Sequence, residues 1–169
     1  MPTPRPLALE DTVSFKNLSD PRISPDGDKV AFMVANSYRV DTIFAKSAIW
    51  SVPATGGDST RLTFGPRADE CPRWSPDGTT LAFLSDRGKA QADAYVDDWQ
   101  IKTLTAAKET QIYLLPRNGG EAVQLTSIRG GALNPRNLDP FAWSADGRGI
   151  AFLNTDQFTD EEKRRIEEK

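Results

Sequence analysis

The sequence predicts an all-β fold built from β-propeller blades of four antiparallel strands. Three observations carry that expectation. A Ser-Pro/Ala-Asp-Gly turn recurs at Ser24, Ser75 and Ser144, spaced 51 and then 69 residues apart. A second marker joins an apolar stretch to a double glycine and a Leu-Thr pair. It reads "AIWSVPATGGDSTRLT" at 48–63 and "QIYLLPRNGGEAVQLT" at 111–126. The two markers alternate in constant order along the chain. Four short strands with hairpin links, repeated at about 40–50 residues, is the pattern of a propeller blade.

Residues 1–20 are expected to form an N-terminal segment with a short helix that leads into the propeller. Blade unit 1 is placed at 21–70, with short apolar stretches near 22–24, 29–35, 48–52 and 60–64. Blade unit 2 is placed at 71–139, with stretches near 72–75, 80–85, 111–115 and 122–126. Each stretch is too short for a typical helix and is bounded by Gly, Pro, Asp or Ser, which favours strands. An insertion at 89–109, "KAQADAYVDDWQIKTLTAAKE", lengthens unit 2. The start of unit 3 occupies 140–169. Its end carries a capping box, Thr159 with Glu162, and a Glu161–Arg165 pair at helical spacing. Two units are therefore complete and a third is begun, and the chain reads as the N-terminal fragment of a longer propeller.

Local chemistry agrees with the hairpins. In Ser75-Pro76-Asp77-Gly78, proline pre-sets φ and glycine supplies a left-handed residue without steric cost. The double glycines Gly56-Gly57 and Gly119-Gly120 read as hairpin turns between the third and fourth strands. In "TLAFLS" (80–85), Leu81 and Phe83 fall on one face and Ala82 and Leu84 on the other. A strand apolar on both faces belongs between two neighbouring blades. Alanine recurs at 31, 82 and 151, where a small side chain lets adjacent sheets approach. Trp74 and Trp143 precede matching turns, with Ile23 as their counterpart, so they are expected in the core. Trp50 matches Tyr113 and is placed there too.

Composition removes several kinds of chemistry. The chain has no histidine, so it cannot by itself supply the imidazole of a Ser-His-Asp triad. With one cysteine, Cys71, an internal disulfide or a His/Cys zinc site is also excluded. No G-x-S-x-G elbow and no phosphate-binding glycine motif occurs. No catalytic, metal or cofactor-binding residue is assigned, and no cofactor is expected. A net charge of −3 with both signs interspersed argues against a nucleic-acid surface. No apolar run of transmembrane length is present, and "MPTPRPLALEDTVSF" lacks the apolar core of a signal peptide. No membrane partner and a cytoplasmic location are therefore expected.

The segments "SDPRISPDGDKVAFMV" with "IWSVPATGGDSTRLT", and "PRWSPDGTTLAFLSDRG" with "TQIYLLPRNGGEAVQLT", resemble the start of the propeller of prolyl oligopeptidase-clan serine peptidases. The acylaminoacyl-peptidase and dipeptidyl-peptidase-like branch is the nearest in pattern. The N-terminal "LEDTVSFKNLSDPRIS" and the "SDR" after the strand set this likeness above that to TolB-type propellers, which share the S-P-D-G motif. The resemblance implies a C-terminal α/β-hydrolase domain as partner, bearing the catalytic triad outside this chain. It implies short or N-acylated peptides as substrates, with the propeller gating and selecting them. The alternative is a TolB-like scaffold for protein–protein binding. None of the family's catalytic motifs maps onto these residues, and no substrate-binding residue can be transferred.

Two places remain candidates for contact with a ligand or partner. The 89–109 insertion mixes Tyr95, Val96, Trp99, Ile101 and Leu104 with Asp93, Asp97 and Asp98. It could cover a propeller face, gate a channel, contact another subunit or simply extend the blade edge. Asp69 and Glu70 lie where a connection between units would reach one face. They could meet a peptide's amino group or be plain solvated charges. Open blade edges also predict self-association of the isolated chain.

Overall fold

The computed structural model describes residues 6, 8, 11, 15–36, 47–65, 67–88, 110–128, 130–135 and 138–154. Among these, ten strands form three antiparallel sheets. The first sheet holds β1 (Lys16–Ile23), β2 (Lys29–Asn36), β3 (Ser47–Pro53) and β4 (Thr60–Arg61) in sequence order. The second holds β5 (Asp69–Trp74), β6 (Thr80–Ser85), β7 (Gln111–Pro116) and β8 (Val123–Gln124) in the same order. The third pairs β9 (Phe141–Trp143) with β10 (Ile150–Phe152). Two complete four-stranded blades and the first two strands of a third are therefore in place. The 89–109 insertion and the expected helix at 159–169 lie outside the described residues.

The repeated turn is built the same way three times. Ser24, Ser75 and Ser144 each donate Oγ–H to the aspartate two residues on, at 2.7, 2.5 and 2.6 Å. The same Oγ accepts the backbone N–H of the residue five positions on, at 3.0, 3.0 and 2.9 Å. Gly27, Gly78 and Gly147 close the turn at φ +78, +69 and +69°. The serine hydroxyl thus relays between the turn's aspartate and the first N–H of the next strand. That hydrogen bond from serine is the main reason the Asp77 and Asp146 carboxyls sit below the usual carboxylate range.

The Leu-Thr marker has an equally local cause. The outer strands pair over two residues each and then fold inward. Leu62 and Thr63 both donate to the Ile49 carbonyl, at 2.8 and 3.3 Å, while the Ile49 N–H donates to Thr63 Oγ1 at 3.0 Å. Leu125, Thr126 and Ile112 repeat the arrangement. A threonine hydroxyl replaces the missing backbone acceptor, which a buried N–H requires.

Side chains from the sheets interleave. Ala31, Ile49 and Leu62 of the first blade meet Trp74, Leu81, Phe83, Tyr113 and Leu115 of the second. On the opposite face of the second blade, Ala82, Leu84 and Ile112 meet Phe141, with Trp143 and Ile150 packed against them. Strand β6 is therefore covered on both sides, as its two apolar faces predict. Trp74 is buried, Trp143 is partly buried, and the Phe83 and Tyr113 rings stack at 5.8 Å. Trp50, the counterpart of Tyr113, is only half-buried, because among the described residues no blade packs on its face of the first sheet. Ala31 and Ala82 are fully buried, whereas Ala151 is exposed. Replacing Ala82 with leucine is expected to overpack this layer and to cost about 1–3 kcal/mol in urea denaturation. Ala151→Leu should be near neutral by the same measurement.

The first strand of each complete blade starts ahead of the expected unit boundary, at Lys16 rather than 21 and at Asp69 rather than 71. A bulge is the reason. Register shifts between Ser19 and Arg22, and again between Glu70 and Arg73. Asp20 and Cys71 occupy the matching bulge position, with φ of 49° and 57°. Residues 16–20 are strand, so the short helix expected within 1–20 does not extend into them. Among the described residues ahead of them, Asp11 is helical and is tied to Ala8 by two hydrogen bonds. The Asp11 N–H donates to the Ala8 carbonyl at 3.1 Å, and the Ala8 N–H donates to Asp11 Oδ2 at 2.8 Å.

Candidate functional site

The blades meet through their first strands, with β5 packing on β1, β2 and β3. This brings charged side chains from three blades together. Arg22 on β1 and Arg73 on β5 occupy the same repeat position, two residues before the turn serine. Asp20 bridges them with both oxygens, taking Arg22 Nε at 2.8 Å on Oδ1 and Arg73 Nη1 at 2.7 Å on Oδ2. Asp139, just ahead of β9, bridges them again through one oxygen. Its Oδ1 takes Arg22 Nη2 at 3.1 Å and also Arg73 Nη2. The result is a closed ring of two guanidiniums and two carboxylates. The Arg73 hydrogen bond is the main reason the Asp139 carboxyl is held below its usual range.

The bulges make this ring possible. A bulged strand bends and re-aims its side chains. The left-handed residue Asp20 thereby lines the cleft beside Arg22, and Cys71 lines it beside Arg73. Arg73 and Ala82 are cross-strand partners and share a face, so the long guanidinium lies beside the smallest apolar side chain. Arg73 is 13% exposed and its Nε has no hydrogen-bond partner. Next to the ring opens a cleft of about 530 Å³, lined also by Cys71 and Asn134.

The cleft is equipped for binding rather than for proton transfer. Burial pushes the Cys71 thiol up to about 11, and the neighbouring Asp20 charge adds to the effect. The thiol is therefore protonated at neutral pH and a poor nucleophile. Its Sγ lies 3.5 Å from Asn134 Oδ1, while Asn134 Nδ2 donates to Glu70 Oε2 at 3.1 Å. No group of three or more potential metal ligands occurs among the described residues. The double glycines form hairpin turns with φ between +86 and +120°.

Asp69 and Glu70 are strand residues of β5, not solvated loop charges. Asp69 is fully buried and pairs with Arg87 Nη2 at 2.6 Å. The Arg87 guanidinium lies over the Phe83 and Tyr113 rings at 5.0 and 5.1 Å. The "SDR" tripeptide thus supplies an internal ion pair, and Asp69 is closed to a peptide's amino group. Glu70 is only partly buried and accepts a hydrogen bond from Asn134, which lines the cleft. The ring itself was missed in the sequence, although a signal was present. "DPRISPDG" and "CPRWSPDG" both place arginine at one repeat position beside a core residue.

Neighbouring blades are also joined by a repeated indole bond. Trp74 Nε1 donates to the Arg22 carbonyl at 3.0 Å, and Trp143 Nε1 donates to the Arg73 carbonyl at 3.1 Å. At the turn end, Arg117 of the second blade pairs with Asp26 at 2.6 Å and with Asp28 of the first, and lies over the Trp74 ring.

No family model matches the sequence. The chain is 32% identical over 144 residues to the "Uncharacterized peptidase YuxL" of Bacillus subtilis strain 168. That alignment covers 85% of this chain and 18% of the relative, so the chain spans less than a fifth of the relative's length. Among solved structures, TolB from Acinetobacter baumannii superimposes with a TM-score of 0.52 at 24% identity, over 80% of this chain and 26% of that one. A putative TolB from Agrobacterium tumefaciens gives 0.46 at 21% identity, over 82% and 54%. No helix among the described residues is long and apolar enough to cross a membrane. The superposition on Acinetobacter TolB and the repeated four-stranded sheets together establish the fold as that of β-propeller blades.

Proposed function

We propose that this chain is the N-terminal part of the propeller of a cytoplasmic serine peptidase that hydrolyses short or N-acylated peptides. In this reading the propeller gates and selects substrates for an α/β-hydrolase domain of the same protein, outside these 169 residues. The observation that carries it is the 32% identity, across most of the chain, with a protein named as a peptidase. Two features support a selecting rather than a catalytic role. The chain lacks the imidazole a triad needs, and its cleft holds ion pairs with a protonated thiol. The likeness to TolB bears on the fold alone and gives the scaffold alternative no added weight.

The test compares residues 1–169 with the full-length protein on acetyl-alanine p-nitroanilide and on peptides of increasing length. The full-length protein should cleave the short substrates and spare long ones, and the 169-residue chain should be inert. Cleavage by the purified 169-residue chain would overturn the division of labour. A coding sequence beyond Lys169 without a G-x-S-x-G segment and later Asp and His would overturn the peptidase reading itself.

A further inference from the structure

We propose that the cleft beside the Arg22–Arg73 ring binds the free carboxylate at the C-terminal end of a short peptide, which takes the place of the Asp139 carboxylate. The inference deepens the reading of a substrate-selecting propeller and rests on it for the choice of a peptide as ligand.

The geometry is that of an anion site already holding an internal anion. Guanidiniums from two different blades converge on a single oxygen, Asp139 Oδ1. Asp139 comes from the connection ahead of β9 and is 59% exposed, the most exposed member of the ring. The other bridge, Asp20, is 21% exposed and grips both arginines with separate oxygens. Removal of Asp139 therefore leaves Arg22 and Arg73 still held by Asp20.

Arg73 is only half used from the cleft side. Its Nη2 is engaged by Asp139, and its buried Nε has no partner. A carboxylate lying flat against a guanidinium engages two adjacent N–H groups at once, which a single bridging oxygen cannot do. An incoming carboxylate would fill the Nε position and satisfy a buried donor that otherwise costs free energy.

Charge selects the class of ligand. Exchanging one carboxylate for another preserves the balance of two cations and two anions in the ring. An ammonium group in the same place would face two guanidiniums. A dianionic phosphate would add a charge beside Asp20. The cleft's volume, about 530 Å³, falls within the roughly 300–1,000 Å³ of small-ligand sites. Asn134, whose amide is engaged by Glu70 and Cys71, lines the same cleft and gives it a polar wall.

The experiment is calorimetric titration of the full-length protein, with any catalytic serine first blocked by a fluorophosphonate. The probes are acetyl-glycyl-glycine and its C-terminal amide. The free acid is expected to bind about tenfold or more tighter than the amide, the range for a charge-assisted hydrogen bond. Arg22→Gln should weaken binding of the acid and leave the amide unchanged. Asp139→Asn, which removes the internal competitor, should tighten binding of the acid. Equal affinity for acid and amide, or no binding of either by the folded wild-type protein, overturns the proposal. So does weaker or unchanged binding of the acid by Asp139→Asn, because a purely structural ring has no competitor to remove. Hydrolysis is not read here, so acid-selective binding by a protein without peptidase activity would keep the cleft and sink the peptidase reading.

Discussion

Replacing Trp74 with alanine is expected to destabilise the folded chain by about 3–5 kcal/mol, the range for deleting a large buried aromatic side chain. Trp74 is 9% exposed and lies in the layer formed with Ala31, Ile49 and Leu62 of the preceding blade. The substitution removes that contact area and leaves the Arg22 carbonyl without its indole donor. Arg117 also loses the ring beneath it. Trp74→Phe should retain most of the burial and lose chiefly the hydrogen bond, at about 1 kcal/mol. Ile23, at the same repeat position in the first blade, is 63% exposed. Ile23→Ala in the 169-residue chain should therefore cost no more than about 0.5 kcal/mol. Urea denaturation of the three variants checks the ranking. A loss below about 1 kcal/mol for Trp74→Ala would show that the interface between the first two blades contributes little to stability. A large loss for Ile23→Ala in the full-length protein would show that a further blade covers this face.

Arg87→Ala is expected to cost about 3–5 kcal/mol, the range for removing one partner of a buried ion pair. Asp69 is fully buried, and its Oδ2 already lacks a hydrogen bond. Without Arg87 the remaining oxygen loses its cation as well. The site cannot easily relax around the loss. A Cβ on Gly65 would lie 3.2 Å from Asp69 Oδ2, so a side chain there would crowd the carboxylate. The Asp69 carbonyl is fixed by Ser47 Oγ of the first blade at 2.9 Å. Arg87→Lys should not restore stability, since an ammonium does not stack flat on Phe83 and Tyr113 as guanidinium does. The double variant Asp69→Ala/Arg87→Ala removes both charges and should be less stable than wild type by clearly less than the two single losses added. Additive losses in that cycle would show that the pair is not coupled.

The blades were legible in the sequence because each local preference repeats. Strand β6 runs over the stretch expected for it, and β2 and β7 each run one residue longer at the C-terminal end. Their apolar residues and bounding turns point the same way. Strands β1 and β5 were read short because their early halves carry Lys16, Asn17, Ser19, Asp20 and Glu70, which have no strand-like alternation. Their bulges turn on left-handed Asp20 and Cys71, and non-glycine residues seldom signal that conformation. Strands β4 and β8 were read long because Leu62-Thr63 and Leu125-Thr126 look extended, yet they wrap one carbonyl instead of continuing the ladder. The charged ring was the least legible feature. Arg22 and Asp139 stand 117 residues apart and meet only when three blades assemble. The burial of Asp69 is hidden from the sequence for a related reason. Its burial depends on Arg87, eighteen residues away across β6, which no local pattern near Asp69 announces.

The indole bonds between blades all point one way. The second and third blades each donate from their own tryptophan to the blade before, so the array has a direction, like a chain of hooks and eyes. At the third blade the eye is the carbonyl of Ala142, the counterpart of Arg22 and Arg73. At the first blade the hook is missing, because the Ile23 side chain has no N–H to donate. A ring that closes through the first blade thus contains one seam without the bond that ties the joints seen here. That seam is where such a ring would breathe first, and where hydrogen exchange along β1 should outpace exchange along β5.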